Sequence, residues 1–193
     1  MIRWIELEAL EGLVTPEIGA KLANLAAQVP QGQAIVEIGS YKGKSSCYLA
    51  EGARNGNGAR VHCIDPWDLP GNLERSQYPV NDPATREAFE RQVEEMGLAE
   101  GITQRRAFSL EAVKKWRAPI GLLFIDGDHR YSGALGDFQA WGRYVVQGGV
   151  VVFDDYHRRR RSGVRRAVEQ VRAQDKQWGQ WEIVGRLAIG RKL

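Results

Sequence analysis

Four short stretches of the sequence hold side chains able to do chemistry, and each continues an apolar run: EIGSYKGKSS at residues 37–46, CIDPWD at 63–68, FIDGDH at 124–129 and FDDYH at 153–157. The first comes close to the phosphate loop of nucleotidases, with Gly39, Gly43, Lys44 and Ser45 in the right order. Such a loop needs four residues between its first glycine and the Gly-Lys pair, so that several N–H groups wrap one phosphate. Only Ser40, Tyr41 and Lys42 intervene, and Ile38 stands where the glycine should be. The three-glycine dinucleotide fingerprint fails too, because Tyr41 and Lys44 occupy glycine positions. What remains is an acid at a strand end (Glu37), a glycine turn, and a serine at a helix start (Ser45). That arrangement binds a small carboxylate through helix N–H groups and the serine hydroxyl. Asp65, at the next strand end, can accept both hydrogens of a ribose diol. A ligand with a carboxylate, an amine and a ribose suits these residues better than one with phosphates.

Asp126, Asp154 and Asp155 end two further apolar runs. Three converging carboxylates repel one another and raise each other's pKa unless a cation sits between them. Oxygen-only ligands favour magnesium, calcium or manganese over zinc. The alternative is that these acids cap the following helices or face water. Asp128 is a substitute for one of the three.

The elements that position these residues read as alternating apolar runs and amphipathic stretches, the pattern of a mostly parallel sheet covered by helices. TPEIGAKLANLAAQV spaces Ile18, Leu22, Leu25 and Val29 on one helical face, with Thr15 as cap and Pro16 in the first turn. Strands follow at AIVEIG, RVHCID, TQRRAF, IGLLFID and GGVVVFDD, separated by helices at SSCYLAEGAR, PATREAFERQVEEMGL and GALGDFQAWGRYV. A helix at 163–174 precedes WEIVGRLAIGRK, two short strands turning at Gly185-Arg186. The fold expected is a Rossmann-like α/β domain with seven strands, helices on both faces and a terminal antiparallel hairpin. It occupies residues 1–193 as a single domain, with 1–30 as a helical N-terminal segment. In open parallel sheets ligands bind at the carboxyl ends of the strands, where all four stretches fall. The proline-rich loop 66–83 is long for a compact domain and reads as a substrate-side lid.

Composition excludes several classes. The longest apolar runs are far short of a membrane span, and MIRWIELEALEG carries acids where a signal peptide is apolar, so a cytoplasmic location is expected. Cys47 and Cys63 have neither metal nor redox spacing and read as small core residues. Six arginines lie in HRRRRSGVRR, and without them the net charge of +3 would turn negative. The chain is a mildly acidic body with one basic patch, not a globally basic nucleic-acid binder.

Taken together, VEIGSYKGKSSCYLA, VHCIDPWD, AFSLEAV, LLFIDGDHRYSGALGDFQAW and GGVVVFDDYH resemble the motifs of the class I S-adenosylmethionine-dependent methyltransferases. More narrowly they resemble the metal-dependent O-methyltransferases, the group with catechol and macrolide-sugar enzymes. The likeness implies that Glu37, Gly39, Ser40, Gly43 and Ser45 hold the methionine end of S-adenosylmethionine, with Tyr41 alongside. It places Asp65 on the ribose, Ser109 near the adenine, and Trp67 either on the adenosine or anchoring its loop. Asp126 borders the cofactor and, with Asp154 and Asp155, would hold a divalent cation such as Mg2+. His129 would take the proton of a hydroxylated small-molecule acceptor, a sugar or catechol-like diol. Arg158, Arg159, Arg160 and Arg161 read first as a solvated face and second as a clamp for an acidic substrate, carrier protein or RNA. A metal-free or RNA-directed methyltransferase and a non-catalytic cofactor-binding module are the alternatives; the oligomeric state is open, a homo-oligomer included.

Overall fold

The computed structural model describes residues 1–67, 83–156 and 163–193. Seven strands form one sheet in the order β3-β2-β1-β4-β5-β7-β6. They are β1 (Ala34–Ile38), β2 (Val61–Asp65), β3 (Ile102–Arg106), β4 (Ile120–Ile125), β5 (Val145–Phe153), β6 (Trp178–Val184) and β7 (Leu187–Lys192). The first five run parallel, and β7 inserts antiparallel between β5 and β6. β1 and β4 are buried at every position, which is why their sequences are near-continuous apolar runs.

Alternation along each strand divides the core in two. Ile35, Val61, Cys63, Leu122, Phe124 and Val152 meet α2 (Pro16–Ala27), α3 (Lys44–Asn55) and α4 (Pro83–Glu95) on one face. Val36, Ile38, Ile64, Leu123, Ile125 and Phe153 meet α6 (Tyr131–Trp141) and α7 (Gly163–Gln174) on the other. A short α1 (Trp4–Ala9) and α5 (Ser109–Ala112) complete the helices. Thr15 caps α2 by accepting the Ile18 N–H at 3.4 Å. Both cysteines are free and buried. Among the described residues no helix is long and apolar enough to cross a membrane.

Several boundaries differ from the sequence reading. The helix expected to run to Val145 stops at Trp141 and closes with a 3-10 turn over Gly142–Tyr144; β5 begins at Val145, three residues before the expected GGVVVF run. β6 begins at Trp178 rather than Trp181, because the ring of Trp178 packs against Phe138 at 5.3 Å. Nearly all of the loop 66–83 lies outside the described residues, as do Asp68, His157 and Arg158 to Arg161.

Strand order reverses beside β1, whose neighbours β2 and β4 lead to opposite edges. The register aligns Ile64, Ile38, Ile125 and Phe153 in one row across the sheet. The next residues are therefore level: Asp65, Gly39, Asp126 and Asp154. Their backbones continue the ladder, with Gly39 N–H donating to Ile64 O at 2.9 Å, Asp126 N–H to Ile38 O at 2.8 Å and Asp154 N–H to Ile125 O at 3.0 Å. Residues far apart in the chain are brought together by register alone.

Candidate active site

The loop after β1 is folded around the carboxylate of Asp65. Its Oδ2 accepts the N–H groups of Ser40 (2.9 Å) and Tyr41 (3.0 Å), and its Oδ1 accepts that of Trp67 (2.6 Å). These bonds use both lone pairs of Oδ2 and one of Oδ1. Burial pushes the Asp65 pKa up, and the three N–H groups oppose that shift. Trp67 is 2% exposed, packs edge-on against Phe89 at 5.1 Å and donates its indole N–H to Tyr41 O at 2.8 Å. The ring thus anchors the loop. Tyr41 and Trp67 both have positive φ, 48° and 45°, a conformation that costs energy for non-glycine residues and that these bonds hold in place. Gly39 (φ +86°) allows β1 to approach β4: a Cβ there would lie 2.3 Å from the Asp126 carbonyl oxygen. Gly43 caps α3 in the left-handed conformation.

Glu37 is enclosed beneath this loop. Ser40 donates to its Oε2 at 2.7 Å and Ser46 donates to the same oxygen, while Oε1 is buried without a partner among the described residues. Burial raises its pKa, against the hydroxyls of Ser45, Ser46 and Ser40. Lys44, the residue that imitated a phosphate-loop lysine, points elsewhere: its Nζ donates to Glu8 O at 2.8 Å, and burial lowers its pKa.

On the β4–β5 side, His129 bridges two carboxylates. Its Nε2 lies 3.3 Å from Asp126 Oδ1 and its Nδ1 3.3 Å from Asp155 Oδ2. Burial, then the nearby charge of Asp154, pushes the Asp126 pKa up to about 7, although the His129 contact pulls it down. Asp155 has φ +59° and is 3% exposed. Asp154, 1% exposed, accepts the Asp155 N–H on Oδ1 at 2.7 Å. The Nε of Arg186 sits 2.7 Å from that same oxygen, an ion pair whose N–H is not aimed along the contact, and Asp154 Oδ2 is buried without a partner among the described residues.

The three acids expected to hold a cation lie near one another, since, after burial, the charges of Asp154 and Asp155 both raise the Asp126 pKa, but among the described residues no three acidic, histidine or cysteine side chains gather as metal ligands. The physical reason is that His129 stands between Asp126 and Asp155, while Asp154 faces a guanidinium. Asp128 is no substitute, since Arg130 holds it through its N–H (2.9 Å) and its Nε (2.9 and 2.8 Å to the two oxygens). Partial burial works to raise the Asp128 pKa, but those contacts bring it below the usual carboxylate range.

Three contributors escaped the sequence reading. Arg186 appeared there only as a turn residue. Gly163 starts α7 and lies against the histidine loop, where a Cβ would fall 2.2 Å from Tyr131 N and 2.5 Å from His129 O. Asp137 lies on the buried face of α6, where it accepts the hydroxyl of Ser109. An acid among Ala134, Phe138 and Trp141, all buried, was the available signal. Burial pushes the Asp137 pKa up to about 6, against the Ser109 bond. A carboxyl raised from 3.8 binds its proton more tightly folded than unfolded, so it costs stability as pH rises from about 4 to about 6. Asp137→Asn keeps an acceptor for Ser109 and removes that loss. Thermal unfolding should show the variant more stable than the parent at pH 7, on the order of 1–3 kcal/mol, with the gap closing below pH 4. An equal gap at both pH values would show that the carboxyl is not held protonated.

The family model described as "Methyltransferase domain" matches residues 36–156, more than half of the chain. The chain belongs to that family. Its seven-stranded sheet with a terminal antiparallel hairpin is the Rossmann-like methyltransferase fold. Cofactor-bound Rv0187 from MTB superposes with a TM-score of 0.73 at 21% identity, covering 98% of this chain and 85% of that one. An O-methyltransferase from Bacillus cereus in complex with SAH gives 0.69 at 19% identity over 97% and 86%. The O-methyltransferase TomG from Streptomyces achromogenes, in complex with SAM, gives 0.68 at 20% over 93% and 81%. An uncharacterized protein of Acanthamoeba polyphaga mimivirus is 54% identical over 37 residues, which span 19% of this chain and 17% of that protein.

Proposed function

We propose that this methyltransferase moves the methyl group of S-adenosylmethionine to a hydroxyl of a small molecule. The observation that carries the reading is the row of strand ends: the Asp65-held loop is level with Asp126, which His129 contacts, and this supports one cleft shared by a nucleoside and a proton acceptor. S-adenosylmethionine supplies an electrophilic sulfonium methyl, and the B. cereus and TomG structures, in complex with SAH and SAM, support that cofactor class. Ser40, Tyr41 and the start of α3 receive its amino-acid end, Glu37 fixes Ser40 from below, Asp65 Oδ1 takes a ribose hydroxyl, and Ser109 with Asp137 flanks the base.

His129 accepts the acceptor's proton. The hydroxyl takes over the Nε2 contact, which at 3.3 Å is the long end of hydrogen-bond range. As the oxygen attacks, the proton passes to Nε2, and Asp155 at Nδ1 stabilises the imidazolium that forms. Asp126 is left free to accept from a second hydroxyl, which suits the sugar- or catechol-like diol that the resemblance implies. Most of the acceleration is orientation of the two reactants. A divalent cation is not part of this reading, because Asp154 is already paired with Arg186.

Calorimetry tests the ligand. The protein should bind S-adenosylmethionine or its demethylated product and not ATP with magnesium. Asp65→Ala removes the acceptor of three backbone N–H groups as well as the ribose contact, and should weaken binding by ~1.5–3 kcal/mol. ATP binding without any response to the sulfonium compound would sink the proposal.

A further inference from the structure

The carboxylates after β5 are provided with a cation by the chain itself. We infer that Arg186, at the β6–β7 turn, is a built-in positive charge that takes the place of a divalent metal ion among Asp126, Asp154 and Asp155. The inference rests on the methyltransferase reading above and concerns how its acidic cluster is balanced.

Asp154 is too enclosed to be left unpaired, since a buried charge without a partner is strongly disfavoured. Its Oδ1 meets the Arg186 Nε at 2.7 Å. A guanidinium stays charged at any working pH, so this charge is permanent, whereas a metal must be acquired. A hard divalent cation takes six or more oxygens, for magnesium mostly waters anchored by one or two carboxylates. Here Asp154 Oδ1 is engaged by Arg186 and the Asp155 N–H, Asp155 and Asp126 each face His129, and of these carboxylates Asp154 Oδ2 is the oxygen buried without a partner among the described residues. An incoming cation would also meet like charge from the guanidinium.

The residue is tied down from two further directions, once by its side chain and once by its backbone. Its Nη2 donates to Leu13 O at 3.2 Å, and its own carbonyl accepts the Tyr156 N–H at 2.9 Å. Arg186 therefore clamps the hairpin turn onto residues 154–156 and onto the N-terminal segment. Between those points lies Asp155, with the φ of +59° that aims its carboxylate at His129 Nδ1.

The test titrates manganese(II) into the full chain, with the free ion read by electron paramagnetic resonance. The wild-type protein should leave the free signal undiminished at micromolar metal, and so should Arg186→Lys, which keeps the charge. Arg186→Met keeps the bulk and removes the charge, so it should gain manganese affinity by about tenfold or more, as unpaired carboxylates recruit the ion. Calorimetry with S-adenosylmethionine checks each variant: loss of that binding in the wild type defeats the methyltransferase reading, whatever manganese does. The inference is overturned if the wild type binds one manganese ion at micromolar concentration and Asp154→Asn abolishes it. It is overturned equally if Arg186→Met binds cofactor yet gains no manganese. The wild-type titration alone decides the matter should the methionine variant not fold.

Discussion

Replacing His129 by alanine is expected to slow methyl transfer by ~10²–10⁴-fold, the usual worth of a positioned base, while cofactor affinity stays near the wild-type value. The separation follows from position. The imidazole contacts Asp126 and Asp155, on the β4–β5 side, whereas the loop shaped by Asp65 lies on the β1–β2 side. Residual activity should rise with pH, because an acceptor hydroxyl that ionises unaided needs no base. Removing the ring also takes from Asp126 the contact that pulls its pKa down, so that carboxyl, already at about 7, should titrate higher still in the variant. The sign can be read independently of activity. A carboxyl raised in the folded state costs stability as pH climbs between its unfolded and folded values, so the variant's unfavourable window should extend further above pH 7 than the parent's. Single-turnover transfer to an accepted hydroxyl compound measures the first effect. An unchanged rate near neutral pH would make His129 a bystander.

Gly39→Ala is the second large effect expected, and it acts on both stability and binding. The left-handed backbone costs an alanine about 1–2 kcal/mol. Its Cβ would also lie 2.3 Å from the Asp126 carbonyl oxygen, which belongs to backbone held in the sheet ladder by the Asp126 N–H to Ile38 bond. Forcing such a contact apart costs ~1–3 kcal/mol more. The melting temperature should fall by ~5–15 °C for a chain of this length. Relief must come from moving the loop or the β4 end, and both border the proposed cleft. Methyl transfer should therefore slow by roughly 100-fold, the scale of rate loss that an ångström of misplacement produces, and S-adenosylmethionine should bind more weakly. A variant that melts early yet binds normally would show that this turn serves the fold and not the ligand.

Parallel strands buried on both faces must be apolar along their whole length, so AIVEIG and IGLLFID announced themselves in the sequence. The polar residues that end such runs lie at the carboxyl edge of the sheet, which made Gly39, Asp65, Asp126 and Asp154 legible as a set before any coordinates. Boundaries were less legible. The turn between α6 and β5 depends on how Trp141 and Val145 are buried, which propensity does not encode.

Contacts at the strand ends were less legible than the strand ends themselves. Asp65 was legible as a strand-end acid, yet two of its three bonds go to the backbone of residues 24 and 25 positions earlier. Asp137 hid in an amphipathic helix, since one acid among apolar residues does not say which face it takes. By itself the sequence determined the layered α/β domain, the four strand-end clusters and the failure of the phosphate-loop reading, because each follows from local spacing and residue type. Only the tertiary structure decided what balances the acids. Arg186 reaches Asp154 because β7 returns antiparallel beside β5, pairing Phe153 with Ala188, and this brings the hairpin turn to the end of β5. Local spacing cannot specify a contact between residues 32 apart that only the register of two strands creates, and the energy of a buried charge depends on that contact.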